Sequence, residues 1–157
     1  MKKGAARPDI SSVEAFKDAL LKTRAIAVRD PGQRSPVATS AIALFDRLGI
    51  GDDIRPKLRL TADRPYETVI NGDAEIGFST IAEIVASPEV DFIGPLPSEI
   101  QSFNIFTTAI PISAEQVTAT KVFIEYLTSP RANAVFKSKG IDPGCAKTGR
   151  VEIPTTG

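Results

Sequence analysis

The sequence predicts an α/β fold, a three-layer arrangement with a mostly parallel mixed sheet flanked by helices. Three observations carry this prediction. Short apolar runs of strand length alternate with helix-period segments over the first hundred residues, and the loops between them are only a few residues long. That alternation implies crossover connections and a sheet with helices on its faces. Three strands run into helices with polar starts, at Ser35-Pro36, Asp63-Arg64-Pro65 and Ser79-Thr80. The composition is that of an ordinary globular chain: 157 residues, 42% apolar and 24% charged, enough for one domain.

The elements follow in order. Ser11 is the expected N-cap of a first helix, with Glu14 completing a capping box and Val13, Phe16, Ala19 and Leu20 on one face. Ala25 to Val28 is a short apolar run between Arg24 and Arg29 and reads as a buried strand, ended by the turn chemistry of Asp30-Pro31-Gly32. Serine at N-cap and proline at the first position open a second helix at Ser35-Pro36, which Gly49 stops after Leu48. Leu58 to Leu60 forms a second strand, and a third helix runs from near Asp63-Arg64-Pro65 to Asn71-Gly72. Glu75 to Phe78 is a third strand. Thr80, with Glu83 three residues on, caps a fourth helix reaching about Ala86, and Val90 to Ile93 is a fourth strand. Gln101 to Ile112 is a β-rich run without helical period. Ser113 and Gln116 form a capping box for a helix from Ala114 to Thr128, with Val117, Val122, Phe123, Ile124 and Leu127 on its apolar face. Ser129-Pro130 opens a last helix that Gly140 closes. From Pro143 the tail is polar and expected to fray.

Charge and composition exclude several classes of function. Nineteen basic residues balance nineteen acidic ones, so no long-range field steers the chain to nucleic acid or anionic lipid. There is no histidine, which removes the commonest general base and metal ligand. The single cysteine, Cys145, excludes an intrachain disulfide or a thiolate cage, so neither a metal nor a cofactor is expected. No apolar stretch approaches the roughly 20 residues that span a bilayer, so membrane insertion is not expected. The basic start Met1-Lys2-Lys3 lacks the hydrophobic core of a secretory signal. The chain is cytoplasmic if complete as written, or a piece of an exported protein.

Candidate site residues cluster at the helix starts, which in a doubly wound sheet lie at the strands' carboxyl ends. Val37, Ala38 and Thr39 offer backbone amides to an anion. Ser35, Thr39, Ser79 and Thr80 add hydroxyls, and Arg34 and Arg64 add charge. Capping alone also explains each of these residues, and Asp63 and Glu83 weigh against a multiply charged anion unless other groups bind them first. Tyr66 lies close to the third helix start and is expected mainly to pack. The stretch Gly140 to Thr148 has the wrong spacing for a phosphate loop, and Gly77-Phe78-Ser79-Thr80 lacks the second glycine of a nucleophile elbow. Without histidine, only lysine or a carboxylate could activate Ser79. Cys145 is expected to be an exposed, inert thiol.

A series of blocks has a familiar order: Val13-Glu14-Ala15-Phe16-Lys17, Asp30-Pro31, Leu48-Gly49-Ile50, Gly72-Asp73-Ala74-Glu75-Ile76-Gly77 and Glu83-Ile84. It continues with Val90-Asp91-Phe92-Ile93-Gly94-Pro95-Leu96-Pro97, Glu99-Ile100-Gln101, Phe123-Ile124-Glu125-Tyr126-Leu127-Thr128-Ser129-Pro130 and Val135-Phe136-Lys137-Ser138-Lys139-Gly140-Ile141. From Arg7 to Pro143 the chain resembles the second half of the periplasmic solute-binding proteins of ABC transporters, in the branch that looks like molybdate-binding proteins.

The resemblance implies lobe two of a type 2 periplasmic binding protein, plus a returning hinge strand and two C-terminal helices. The implied divisions are a leading segment and helix at 1–24, a ligand-binding lobe at 25–100, the hinge strand and closing helices at 101–142, and a flexible tail at 143–157. Positions matching Val37, Ala62 and Thr80 are those through which lobe two contacts ligand. The family's tyrosine at the last of these is Thr80 here, and the first lobe has no counterpart in this sequence. The implied function is non-catalytic binding of a small polar or anionic solute, with an ABC transporter permease as partner and a periplasmic location. The alternatives are a small enzyme acting on a compact organic ligand in the same cleft, with Ser79 or Thr80 near the chemistry, and a protein-interaction module without ligand. The last two helices carry apolar faces that need covering, either by folding back on the lobe-two sheet or by packing on a second chain; a homodimer is the favoured expectation, and residues 101–112 are a connector that would permit exchange between protomers.

Overall fold

The computed structural model describes residues 1–143. Cys145, the tail beyond Pro143 and the second half of the Gly140–Thr148 stretch lie outside the described residues. The chain divides into two compact units, Met1–Ile105 and Phe106–Gly157.

The first unit is built on three parallel strands, β1 (Ile26–Arg29), β2 (Leu58–Thr61) and β3 (Ile76–Gly77), in the order β2-β1-β3. Ile26 pairs with Leu58 on one side of β1 and with Ile76 on the other. Helices α1 (Val13–Lys22), α2 (Pro36–Arg47), α3 (Gly51–Ile54), α4 (Pro65–Ile70) and α5 (Ile81–Val85) surround the sheet. The expected α/β class and its parallel sheet are thus present.

Strand β1 is buried on both faces, which is why it reads as a continuous apolar run. Ile26 and Val28 join Phe16 and Leu20 of α1, Ala38, Ala41, Leu44 and Phe45 of α2, and Ile54 of α3. Ala25 and Ala27 face the opposite layer, with Val69 of α4, Ala74 and Val90, and Tyr66 and Ile84 packed against them. Phe45, Leu20, Ile26 and Ile54 are fully buried, each contributing about 1.5–3 kcal/mol relative to exposure. Phe78 ties the first layer together, its ring edge-on to Phe45 at 5.3 Å and to Phe16 at 6.1 Å. Gly77 allows α4 to approach β3: a Cβ there would meet Val69 Cγ2 at 3.2 Å and the Pro65 carbonyl at 3.3 Å.

Several expected boundaries move for local reasons. Asp9 Oδ1 accepts the Ser11 amide at 2.9 Å in a turn before the helix, so Ser12 is the N-cap instead, accepting from Ala15. Helix α2 begins and ends as predicted: Ser35 caps it, and Gly49 follows it at φ 72. Two short helical pieces between α2 and β2, α3 and the 3-10 turn Arg55–Lys57, were not anticipated.

The strand expected at Val90–Ile93 does not form. Val90 instead makes an isolated antiparallel bridge with Lys2. The Asp91 amide donates to the Met1 carbonyl at 2.9 Å, so these backbone groups serve the chain start rather than the sheet.

The β-rich run Gln101–Ile112 is likewise not a strand. Among the described residues it has no ladder partner, and Phe103, Ile105, Phe106 and Ile112 stand exposed. β-Propensity needs a neighbouring edge before it becomes structure.

The second unit contains α6 (Val117–Leu127) and α7 (Pro130–Ser138). Helix α6 starts three residues later than Ala114. The Ala114 amide is taken by a turn to the Pro111 carbonyl at 3.0 Å, and Gln116 caps with its backbone alone. Helix α7 begins as predicted, with Ser129 accepting the Ala132 amide. Val122, Phe123 and Tyr126 of α6 and Val135 of α7 are exposed.

Candidate functional site

In the order β2-β1-β3, the chain leaves β1 toward one side of the sheet and returns as β3 on the other. The crevice beyond the carboxyl ends of β1 and β3 is therefore the place where such sheets bind ligands. A cavity of about 250 Å3 occupies it, lined by the residues that follow β1 (Gln33 to Val37), by those that follow β3 (Phe78 to Thr80), and by Arg29, Pro65 and Glu83.

Each wall has a local cause. Asp30 Oδ1 accepts the Gly32 amide and winds Pro31–Gln33 into a 3-10 turn. Arg34 ends that turn in the left-handed region at φ 54, a conformation that costs an L-residue about 1 kcal/mol. This bend brings Arg34 and Ser35 to the cavity at the start of α2. On the other wall, Thr80 caps α5, its hydroxyl accepting the Glu83 amide at 3.4 Å.

Of the three amides expected at the start of α2, two are committed to the cap. Ala38 donates to Ser35 Oγ at 3.3 Å, and Thr39 donates to the Ser35 carbonyl at 3.1 Å. Val37 lines the cavity, and its N–H has no acceptor among the described residues. Ser35, Val37, Ser79 and Thr80 are thus brought together. Ala38 is fully buried, while Thr39, Ala62 and Arg64 are exposed and do not line the cavity.

The structure adds Arg29, Gln33 and Glu83, which sequence reasoning did not select. In a capping box the acid at N3 reaches back to the N-cap amide. Here Glu83 does otherwise: one oxygen accepts from the Ser79 hydroxyl, and the other lies 3.7 Å from Arg29 Nη2. A signal was available, because Arg29 sits at the carboxyl end of a predicted strand.

Arg64 stands beside the cavity, next to Pro65, and donates from Nη1 to the Tyr66 hydroxyl at 2.7 Å. The pKa of its guanidinium is raised above an already high ordinary value, first by Tyr66 and more weakly by Glu83 and Glu67.

Chemically the site offers two arginines, hydroxyls from Ser35, Ser79 and Thr80, one free amide and one carboxylate. That set suits a small anion carrying carboxylates. No group of three or more His, Cys, Asp or Glu suited to a metal ion occurs among the described residues. No described helix is long and apolar enough to cross a membrane.

Residues 1–142 match the family model of bacterial extracellular solute-binding proteins. The chain is also similar to an aconitate isomerase from Pseudomonas sp, at 30% identity over 144 residues, covering 91% of this chain and 54% of that protein. It thus spans about half the length of that relative. A relative with an enzyme's name overturns the expectation that the site is purely non-catalytic.

Proposed function

Because this chain belongs to the bacterial extracellular solute-binding protein family, we propose that the cavity beyond β1 and β3 binds a small organic anion with two or more carboxylates. The observation that carries this reading is the placement of Arg29 and Arg34 with Ser35, Thr80 and the free Val37 amide on one small cavity. Guanidinium groups match carboxylates through paired N–H donors. The isomerase relative supports an aconitate-like ligand over molybdate, the finer expectation of the sequence, as does Thr80 standing where the molybdate-type proteins have tyrosine. Work outside the cytoplasm and delivery to a transporter permease belong to the same reading, supported by the family.

Calorimetric titration with trans-aconitate, and with molybdate as the alternative anion, tests it. Binding of trans-aconitate, weakened at least tenfold by Arg34→Gln, is the expected result. Binding of molybdate alone would reject the carboxylate reading.

A second reading has a specific basis in the name of the relative and in Glu83. Interconverting aconitate isomers by moving the double bond requires a proton to leave one carbon and return to another. Glu83, held by Ser79 and Arg29, is the cavity carboxylate able to carry it. Deuterium incorporation from heavy water into trans-aconitate, abolished by Glu83→Gln with binding retained, would support this reading. No incorporation with the unaltered chain would remove it.

A further inference from the structure

The cavity's two lining guanidiniums match two carboxylates. A third cation waits beside it. Arg64 is the N-cap residue of α4, but its side chain makes no cap bond. The next residue, Pro65, is buried and lines the cavity, which fixes the Arg64 backbone at the rim. The guanidinium itself is exposed and turned onto Tyr66, with one hydrogen bond of 2.7 Å to the hydroxyl and its carbon 5.9 Å from the ring centroid.

We propose that Arg64 is a specificity-determining residue that leaves Tyr66 to bind a third carboxylate at the cavity mouth, so that the site selects tricarboxylates over dicarboxylates. The inference rests on the carboxylate reading above and adds the substrate class to it. A hydrogen bond from a guanidinium to a neutral phenol is weaker than one to a carboxylate, where both partners are charged and the two N–H groups of the fork engage together. The exchange therefore runs toward the ligand when a third carboxylate is present, and Arg64 stays on Tyr66 when it is not.

The test compares trans-aconitate with cis-glutaconate, which keeps the same three-carbon skeleton and the same placement of its two end carboxylates about the double bond, without the central carboxylate. Both are titrated calorimetrically into the full chain and into Arg64→Gln, Arg64→Lys and Tyr66→Phe. The unaltered chain is expected to bind the tricarboxylate at least tenfold more tightly. Arg64→Gln should reduce that ratio to about twofold, entirely through the tricarboxylate. Arg64→Lys should retain part of the ratio, because charge remains but the paired donors do not. Tyr66→Phe should leave glutaconate binding unchanged and strengthen tricarboxylate binding, because a competing acceptor is gone. If both anions bind and Arg64→Gln alters neither, or alters both equally, the inference is overturned while the carboxylate reading stands. If neither anion binds the unaltered chain, both fall together.

Discussion

Ser35→Ala separates the structural role of this residue from its role at the cavity. Ser35 Oγ accepts the Ala38 amide at 3.3 Å, a long bond, and Ala38 is 0% exposed. Losing an N-cap hydroxyl costs about 0.5–2 kcal/mol. The bond length argues for the lower part of that range. The burial of Ala38 argues the other way, because water cannot replace the lost acceptor and an unsatisfied buried N–H costs about 1–3 kcal/mol. The Ser35 carbonyl survives the substitution and keeps both the Thr39 amide and the Thr39 hydroxyl. The expected loss is therefore about 1–2 kcal/mol, or roughly 2–8 °C in melting temperature for a domain of this size. Urea unfolding followed by far-ultraviolet circular dichroism suits a chain without tryptophan. Ser12→Ala is the control: it removes an equivalent cap bond, 3.2 Å long but exposed, and should cost only about 0.5–1 kcal/mol. Equal losses in the two variants would refute the argument from burial. A loss of trans-aconitate affinity measured on folded Ser35→Ala would report the hydroxyl's separate contact with ligand, and unchanged affinity would remove Ser35 from the site.

Two further outcomes follow from other parts of the molecule. Glu75 accepts the Arg24 amide at 2.9 Å and Arg24 Nε at 2.6 Å, and these bonds hold its carboxyl below the ordinary value of 4.5. Its stabilising contribution should be complete above that value and disappear as pH falls below it, so Glu75→Gln should flatten this part of the stability–pH curve, and an unchanged curve would contradict the assignment. We propose that two copies pair through α6 and α7, where Val122, Phe123, Tyr126 and Val135 are exposed. Light scattering at micromolar concentration should give twice the 16.7 kDa chain mass, falling to one chain mass in Phe123→Glu, whereas a monomer before substitution would reject the pairing.

The sequence was most legible where structure is local. The caps at Ser35, Thr80 and Ser129 were readable because an N-cap and its amide partner lie three residues apart. The three strands of the sheet were readable as short segments between turn signals, β1 most clearly as an apolar run because both its faces are buried. Val90–Ile93 and Gln101–Ile112 have the same apolar character, yet a strand is a relation between two segments, and the second segment is not legible in either run. The site divides in the same way. Ser35, Val37, Ser79 and Thr80 could be chosen because helix starts at strand ends are predictable. Glu83 looked like a capping acid from its spacing, and only the packing of α5 beside β1 turns its carboxylate toward Arg29 and Ser79. Arg64 was selected for its charge, but nothing in the sequence shows it resting on Tyr66.

The central claim is that a small carboxylate anion binds over the start of α2, between β1 and β3. Titrating the nitrogen-15-labelled chain with trans-aconitate, and following each amide by proton–nitrogen correlation, tests it most directly. The account predicts the largest shifts at Val37, whose N–H is free to donate to the anion, with Arg34, Ser35, Ser79 and Thr80 moving at the same ligand concentration. Shifts centred instead on the second cavity, lined by Pro8 to Ser11 and Ile93 to Pro97, or a spectrum that does not respond at millimolar anion, would contradict it.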